Sequence, residues 1–474
     1  MNFETVIGIE LHCELKTKTK MFSGAPVSFG ARSNSCVNEI DLGHPGTLPC
    51  LNKKAVELAI RACTATNCEI DTLVKFDRKN YYYTDLPKGF QITQQFHPIG
   101  SNGYVVINVD GEEKKIRLNR IHMEEDTAKQ FHYADGTYVD FNRAGIPLIE
   151  IVTEADMRSG KEAAAYVEKM RTILYYLGVS DGKMEEGSMR CDVNVSIRPV
   201  GSEKFGTKTE IKNLNSISNV QKAIEVEVER QTAEILAGRE IIQATYRFDE
   251  ATRKTVMMRK KEGAVDYKYF PEPNIFPIQL DHSWVKKIQD EMPELPEQRK
   301  VRYEKEYGLS EYDISVLIAN KEVSDFYDAV MKHTANAKLA ANWVITELLS
   351  ILNKNNVSIT DAKIQPVHLA SMVDMIAKDE ISGKQAKEVF VDVVEGKDPK
   401  EVIEAKGMKQ VSDSSALLAI INSVLDEQPQ SIVDYKNGKD RAIGFLVGQV
   451  MKKSKGQANP KMTNQLLLQE IAKR

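Results

Sequence analysis

IGIELHCEL, residues 7–15, alternates without a break. Ile7, Ile9, Leu11, Cys13 and Leu15 fall on one side of an extended chain, and Gly8, Glu10, His12 and Glu14 on the other. The pattern recurs further along. In GSMRCDVNVSIRP, residues 187–199, Cys191, Val193, Val195 and Ile197 oppose Arg190, Asp192, Asn194, Ser196 and Arg198. In TKTEIKNLNS, residues 207–216, Lys208, Glu210 and Lys212 share one side. Strands that bury one side and present acids, amides and basic groups on the other are what an open sheet needs to build a polar floor. A fourth stretch, VDFNRAGIPLIEIVTE (139–154), sets Asp140, Asn142, Arg143 and Glu150 around a Gly-x-Pro corner. Glu150 lies between Ile149 and Ile151, and an ionised carboxylate in such apolar company requires an arginine, a lysine or a metal.

Outward from these strands, residues 1–292 alternate short strand-like runs with Gly, Pro and Asn turns, and three helices interrupt them at 53–66, 160–177 and 216–237. This predicts an α+β domain. MPELPEQRKVRY, residues 292–303, is rich in proline and charge and marks a boundary. Beyond it ISVLIANKEVSDFYDAVMK, ANWVITELLSILNK and SALLAIINSVLDEQ carry apolar residues at helical spacing, so the rest is helical. A polar break at Lys406 and Gly407 divides that part, giving three expected domains: 1–292, 293–406 and 407–474.

The 474 residues, 42% hydrophobic and 28% charged, suit about three soluble domains. Charged residues stand where a signal peptide needs an apolar core, and no run approaches the roughly 20 apolar residues that span a bilayer. A cytoplasmic protein without a membrane partner is expected. Six cysteines with no CxxC pair predict free thiols rather than a disulfide framework or zinc. The net charge of −4 conceals an asymmetry, because residues 435–474 hold nine Lys or Arg against Asp440 and Glu470. A basic terminal segment on an acidic body suggests a phosphate-binding arm, although a solvated helical face has the same composition.

The carboxylates Glu10, Glu125, Glu150, Asp192 and Glu210, with His12, could share a site only around cations; their oxygens favour Mg²⁺, and the histidine also accommodates Mn²⁺. An inert, solvent-facing floor would carry the same pattern. HMEEDTAK (122–129) offers Glu124, Glu125 and Asp126 in a row. NYYYTDLPKGFQITQ (80–94) sets three tyrosines, Tyr82 among them, beside Lys88, a combination that stacks a base and neutralises a phosphate or packs at a surface turn. VDYKYFPEPNIFP (265–277) is a proline-fixed loop suited to a lid or to packing. No GxxxxGK[ST] loop, kinase signature, GxSxG elbow or amidase-like glycine and serine cluster occurs. If the chain uses ATP, it does so without a P-loop, through metals and dispersed strand residues, and if it uses ammonia, a partner is implied, since no nucleophile to release it from glutamine is evident.

IGIELHCEL, NYYYTDLPKGFQ, HMEEDTAK, VDFNRAGIPLIEIVTE, GSMRCDVNVSIRP, TEIKNLNS and YFPEPNIFP, with AIGFLVGQVMKKSKGQANP near the C-terminus, form an ordered set that resembles the GatB family, the B subunits of the tRNA-dependent amidotransferase. The resemblance runs essentially end to end. It implies a glutamine-synthetase-like α+β cradle followed by an all-α tail whose last part is YqeY-like. It implies ATP-dependent phosphorylation of the carboxylate on Glu-tRNA(Gln) or Asp-tRNA(Asn), then attack by ammonia on the acyl phosphate. The A subunit, an amidase, would supply the ammonia, and the small C subunit would strap the two together. On this resemblance Glu10, His12, Glu125, Glu150, Asp192 and Glu210 hold Mg²⁺, with Glu125, Glu150, Asp192 and Glu210 acting in the chemistry. Tyr82, Lys88, Ser188, Arg190 and Lys208 contact the nucleotide. Glu125 is alternatively the base that deprotonates ammonium, and the basic tail with Gly444, Gly448 and Gly456 binds tRNA. Ser23, Ala25, Asn38 and Asp41 stand where many similar members carry two CxxC pairs, so no structural zinc is expected, and Ala144 stands where serine is frequent. Two competing functions share these residues: a non-catalytic tRNA-binding scaffold, and a stand-alone ligase that joins ammonia to a free amino acid.

Overall fold

The computed structural model describes residues 2–260, 266–408, 414–454, 458 and 460–474. The chain divides into two compact units, Met1–Leu295 and Pro296–Arg474. The first is built on a nine-stranded sheet of β1 (Phe3–Glu14), β2 (Glu69–Ile70), β3 (Gly100–Val109), β4 (Glu112–Glu125), β5 (Pro147–Thr153), β6 (Met189–Pro199), β7 (Thr209–Leu214), β8 (Ala244–Asp249) and β9 (Lys254–Lys260). Their spatial order is β9-β8-β7-β6-β1-β5-β4-β3-β2. Only the β7–β8 pair is parallel; the others run antiparallel.

Helices α1 (Lys53–Ala65), α2 (Gly160–Tyr176) and α3 (Ile217–Leu236) pack against the sheet. Each begins where the sequence supplies a cap: Asn52 accepts from the amides of Lys54 and Ala55, Ser159 from that of Glu162, and Ser216 from that of Asn219. Under them lies the apolar side of the alternation, with Ile7, Ile9, Leu11, Cys13, Val193 and Val195 at most 1% exposed. Burial of this many aliphatic side chains is the main force holding the layers together. The polar side of the same strands is left for the floor. At the Gly-x-Pro corner Gly145 has φ +83°, which favours glycine, and a Cβ there would crowd Asp41 Oδ1 at 3.0 Å.

One buried carboxylate fastens α3 to the sheet. Glu227 is 0% exposed and accepts from Thr209 on β7 (2.8 Å), Thr255 on β9 (2.8 Å), Gln231 (3.0 Å) and Arg230 (2.6 Å). Burial pushes its pKa up, but the bonds from Arg230 and Gln231 outweigh this and hold it below the ordinary value. Glu227→Ala should therefore cost about 3 kcal/mol at neutral pH, measured by denaturant unfolding. Because the folded pKa is the lower one, this contribution is complete above the unfolded value of about 4.3 and is lost as pH falls through the folded pKa. The two chains should converge in stability in acid.

The second unit is helical throughout, and its buried residues form two separate clusters. One includes Tyr303, Tyr327, Val344 and Phe390; the other includes Leu417, Ile421, Leu446, Val450 and Leu467. The boundary segment at 292–303 is mostly helix, since Pro296 opens Pro296–Tyr307, where its missing N–H costs nothing. ISVLIANKEVSDFYDAVMK forms two helices, Glu311–Ile318 and Lys321–Met331, because Asn320 turns to cap the second by accepting from the amide of Val323. No described helix is long and apolar enough to cross a membrane.

Candidate active site

The floor is assembled by strand register. On β1 Glu10 lies opposite Asp192 of β6, and His12 opposite Glu150 of β5. Glu150 lies in turn opposite His122 of β4, while Asn194 of β6 faces Glu210 of β7. Neighbours in register share a face, so residues scattered over 200 positions meet on one surface.

Two groups result, side by side. His12, Glu124 and Glu150 form one, and Glu10, Asp192 and Glu210 the other; within each, one ligand atom per residue lies within 4.8 Å of the rest. In the first, His122 Nε2 is 3.2 Å from Glu150 Oε2 and 3.7 Å from Glu124 Oε2, and Thr93 donates to Glu124 at 3.1 Å. Burial opposes the charge on His122, yet Glu150 and Glu124 more than offset it and raise its pKa to about 9. Burial likewise raises Glu150, but His122 and His12 overcome it and hold this carboxyl far below its usual range. This meets the demand for a cationic partner posed by the apolar neighbours of Glu150.

In the second group Lys212 bridges the acids, 2.8 Å from Asp192 and 3.5 Å from Glu210. Asn194 donates to Glu10 at 3.0 Å and Thr245 to Glu210 at 2.8 Å. Glu10 is pushed up by burial and by the charges of Glu150 and Asp192, so a further cation beside it would be stabilising. Carboxylate oxygens with an imidazole at these separations suit a hard divalent cation of the Mg²⁺ or Mn²⁺ kind.

Glu125 stands outside both groups. Its neighbour Glu124 occupies the floor, because β4 alternates and the pairing of His122 with Glu150 fixes which parity faces the acids. Glu125 instead accepts from Lys88 Nζ at 2.6 Å and from the amide of Ile92 at 3.0 Å. Lys88 lines a cavity of about 160 Å³ together with Phe22, Arg78 and Glu272. Lys208 lines another, of about 280 Å³, in the company of Glu10, Asn194, Ser196 and Phe205. Arg190 reaches the far end of the floor but is held by Asp126 at 2.6 Å. Ser188 turns to Asp181 and to the carbonyl of Lys183, in the loop before β6, and Tyr82 is 91% exposed. Asp140 and Asn142 pin a loop, accepting from the amides of Asn34 and Cys36.

Three residues on or beside the floor were given no role from the sequence, although Glu14 was placed on its polar side. His122 looked like the start of an acid run. Glu14 lies near Asp126, where burial and then the Asp126 charge push it up to about 8 against the pull of Arg190 and Arg143. Lys79 extends between Tyr267 (4.9 Å) and Tyr81 (5.7 Å), and although burial lowers its pKa, the charges of Glu124, Tyr269 and Glu150 raise it on balance. The motif NYYYTDLPKGFQ begins one residue after Lys79, which is why that lysine drew no notice.

A mixed sheet that gathers acids and imidazoles on one face, with Lys208 in a neighbouring cavity, defines a class of site whose side chains could hold divalent cations. The family model described as the GatB/GatE catalytic domain matches residues 5–286, and that described as the GatB domain, of YqeY type, matches 325–471. Proteins of Bacillus mycoides (strain KBAB4), Bacillus thuringiensis (strain Al Hakam) and Bacillus cereus (strain AH187) are each 54% identical over all of both chains, and each is named as the B subunit of aspartyl/glutamyl-tRNA(Asn/Gln) amidotransferase. The chain belongs to the GatB family.

Proposed function

We propose that this chain is the B subunit of a cytoplasmic tRNA-dependent amidotransferase. It phosphorylates the side-chain carboxylate of Glu-tRNA(Gln), Asp-tRNA(Asn) or both with ATP, and then amidates the acyl phosphate with ammonia. The A subunit, an amidase, supplies that ammonia, and the small C subunit holds the two together. The observation that carries this reading is the pair of adjacent acid groups, His12/Glu124/Glu150 and Glu10/Asp192/Glu210, beside the Lys208 cavity. Phosphoryl transfer needs charge neutralisation and alignment rather than a protein nucleophile. Mg²⁺ held by the two groups would supply that neutralisation on the phosphate oxygens.

The chain's own residues do the rest. Lys208 faces the polyphosphate from the cavity wall, Phe205 offers a ring for the base, and Asn194 orients Glu10 through its hydrogen bond. The substrate carboxylate oxygen attacks the γ-phosphorus and ADP leaves; ammonia then attacks the acyl carbon and phosphate leaves. Lys79 stands charged beside Glu124 and Glu150, where it offsets negative charge in both steps.

Ammonium is not a nucleophile, so a base must take its proton before the second step. Glu125 is that base in this reading, on the side of β4 turned toward Lys88 and away from the acid groups. Glu125→Gln should still phosphorylate and form ADP but release little amide, read as ADP formed against amide formed with supplied ammonium. Equal loss of both steps would instead tie Glu125 to phosphoryl transfer. The whole proposal is tested by metal-dependent ATP hydrolysis: stimulation by misacylated tRNA supports it, whereas activity on free glutamate without tRNA selects a stand-alone ligase, and tRNA binding without hydrolysis selects a scaffold.

A further inference from the structure

Toward its β9 edge the floor changes sign. Thr245 of β8 bonds Glu210 across the floor at 2.8 Å, which fixes the face of its side chain, and Arg259 of β9 is its register partner on that face. Two residues beyond Thr245, Arg247 shares the face, and Lys254 lies opposite Asp249 at the far end of the same row. The other face of β9 is fixed independently by Thr255, which bonds Glu227 of α3. Beside the acid groups there is thus a rim made of Arg247, Lys254 and Arg259, while Lys208, just before β7, lies in the cavity wall.

The cations of this rim are poorly neutralised. Among the described residues Lys254 and Arg259 make no ion pair, and Arg247 has only Asp249, at 3.6 Å. On β4 two of the four lysines and arginines are neutralised, Lys114 by Glu162 at 2.8 Å and Arg117 by Asp156 at 2.6 Å, while Lys115 lies over the Tyr104 ring and Arg120 donates to the Gln95 carbonyl. All of β9 apart from Thr255 is exposed. A substrate carboxylate carried on the 3′ end of an RNA must reach the acid groups while its backbone leads away over one edge of the sheet. Repulsion from five carboxylates disfavours that path except where cations line it, and the β9 edge gathers three exposed ones.

We propose that the β8–β9 rim, with Arg259 and Lys254 as its principal contacts, holds backbone phosphates of the acceptor end of the tRNA. The proposal rests on the amidotransferase reading and adds the direction from which the acylated end enters. ATP is the poorer occupant, because β9 lies two strand spacings, about 10 Å, beyond Glu210, whereas Lys208 already faces the cavity beside Glu10. Charged residues on an edge strand also deter pairing with other chains, a role that involves no RNA.

The test is binding of Glu-tRNA(Gln), and of an acceptor-stem hairpin from the same tRNA, to the full-length chain over a salt series. The double variant Arg259→Gln/Lys254→Gln should reduce the slope of log affinity against log salt by about two units on both RNAs. The control Lys114→Gln/Lys161→Gln removes as much charge from the other side of the sheet and should leave the slope as it was. An unchanged slope in the rim variant, an equal fall in the control, or a raised KM for ATP with unaltered RNA binding would each overturn the proposal. If the unsubstituted chain binds neither RNA, the amidotransferase reading fails first, a result distinct from normal binding that ignores the rim.

Discussion

Asp192→Ala and Glu10→Ala should each lower tRNA-stimulated ATP hydrolysis by about 10² or more, the usual effect of removing a group that stabilises developing charge. Folding should survive both changes. Glu10 sits among like charges that raise its pKa, so its removal relieves repulsion, and without Asp192 the Lys212 ammonium still has Glu210 within 3.5 Å. The measurement is steady-state hydrolysis at saturating Mg²⁺ with misacylated tRNA, accompanied by Mn²⁺ titration as a readout independent of turnover. Weaker Mn²⁺ binding together with lost hydrolysis is expected of both variants. Full activity in a well-folded variant would remove the acid groups from the chemistry.

A chain ending at residue 406 should bind tRNA about 10²-fold or more weakly and with a flatter salt dependence, while keeping metal and nucleotide binding. The cut falls between the two buried clusters of the second unit and takes from the first only Met408, which packs at its edge. In the part removed, Lys436, Arg441 and Lys452 make no ion pair among the described residues, and the Arg441–Lys453 helix has open space around Gly444 and Gly448. Lys439, Lys453 and Lys473 are paired with Asp434, Glu427 and Glu470, but exposed pairs are weak enough for a phosphate to replace the carboxylate. Lys455 and Gly456, which the sequence also offers, lie outside the described residues. Unchanged affinity across a salt series would show that these helices are only solvated and would leave recognition to the first unit.

The α+β character and three of the four helices of the first unit were legible because alternation and helical spacing are local properties of the chain; the fourth, His282–Asp290, is a short nine-residue helix that the sequence reading did not expect. The expected 53–66, 160–177 and 216–237 became Lys53–Ala65, Gly160–Tyr176 and Ile217–Leu236. The polar floor was legible for the same reason, and Glu10, His12, Glu150, Asp192 and Glu210 meet on one face. What could not be read was parity within a run of acids. In HMEEDTAK nothing local says which glutamate faces the floor; the decision belongs to the pairing of His122 with Glu150, more than twenty residues away. Nor could the sequence divide the five expected ligands that meet there into two groups, since that depends on strand order in space. Lys79 was invisible because its surroundings come from Tyr81, Tyr267 and the acids of β4 and β5 at once.

Glu124 and Glu125 turn a single peptide unit of β4 into a partition. One carboxylate looks onto the acid groups and the next onto Lys88, so the ribbon between them separates two differently charged surroundings. Their order along the chain is thereby bound to the strand's register: a slip of one residue would not weaken the wall gradually but would exchange its two sides. Loss or gain of one residue between Arg120 and Met123, where the pairing with β5 is regular, is therefore a different kind of lesion from any substitution there, because it would exchange the faces of the two carboxylates unless a bulge absorbed it.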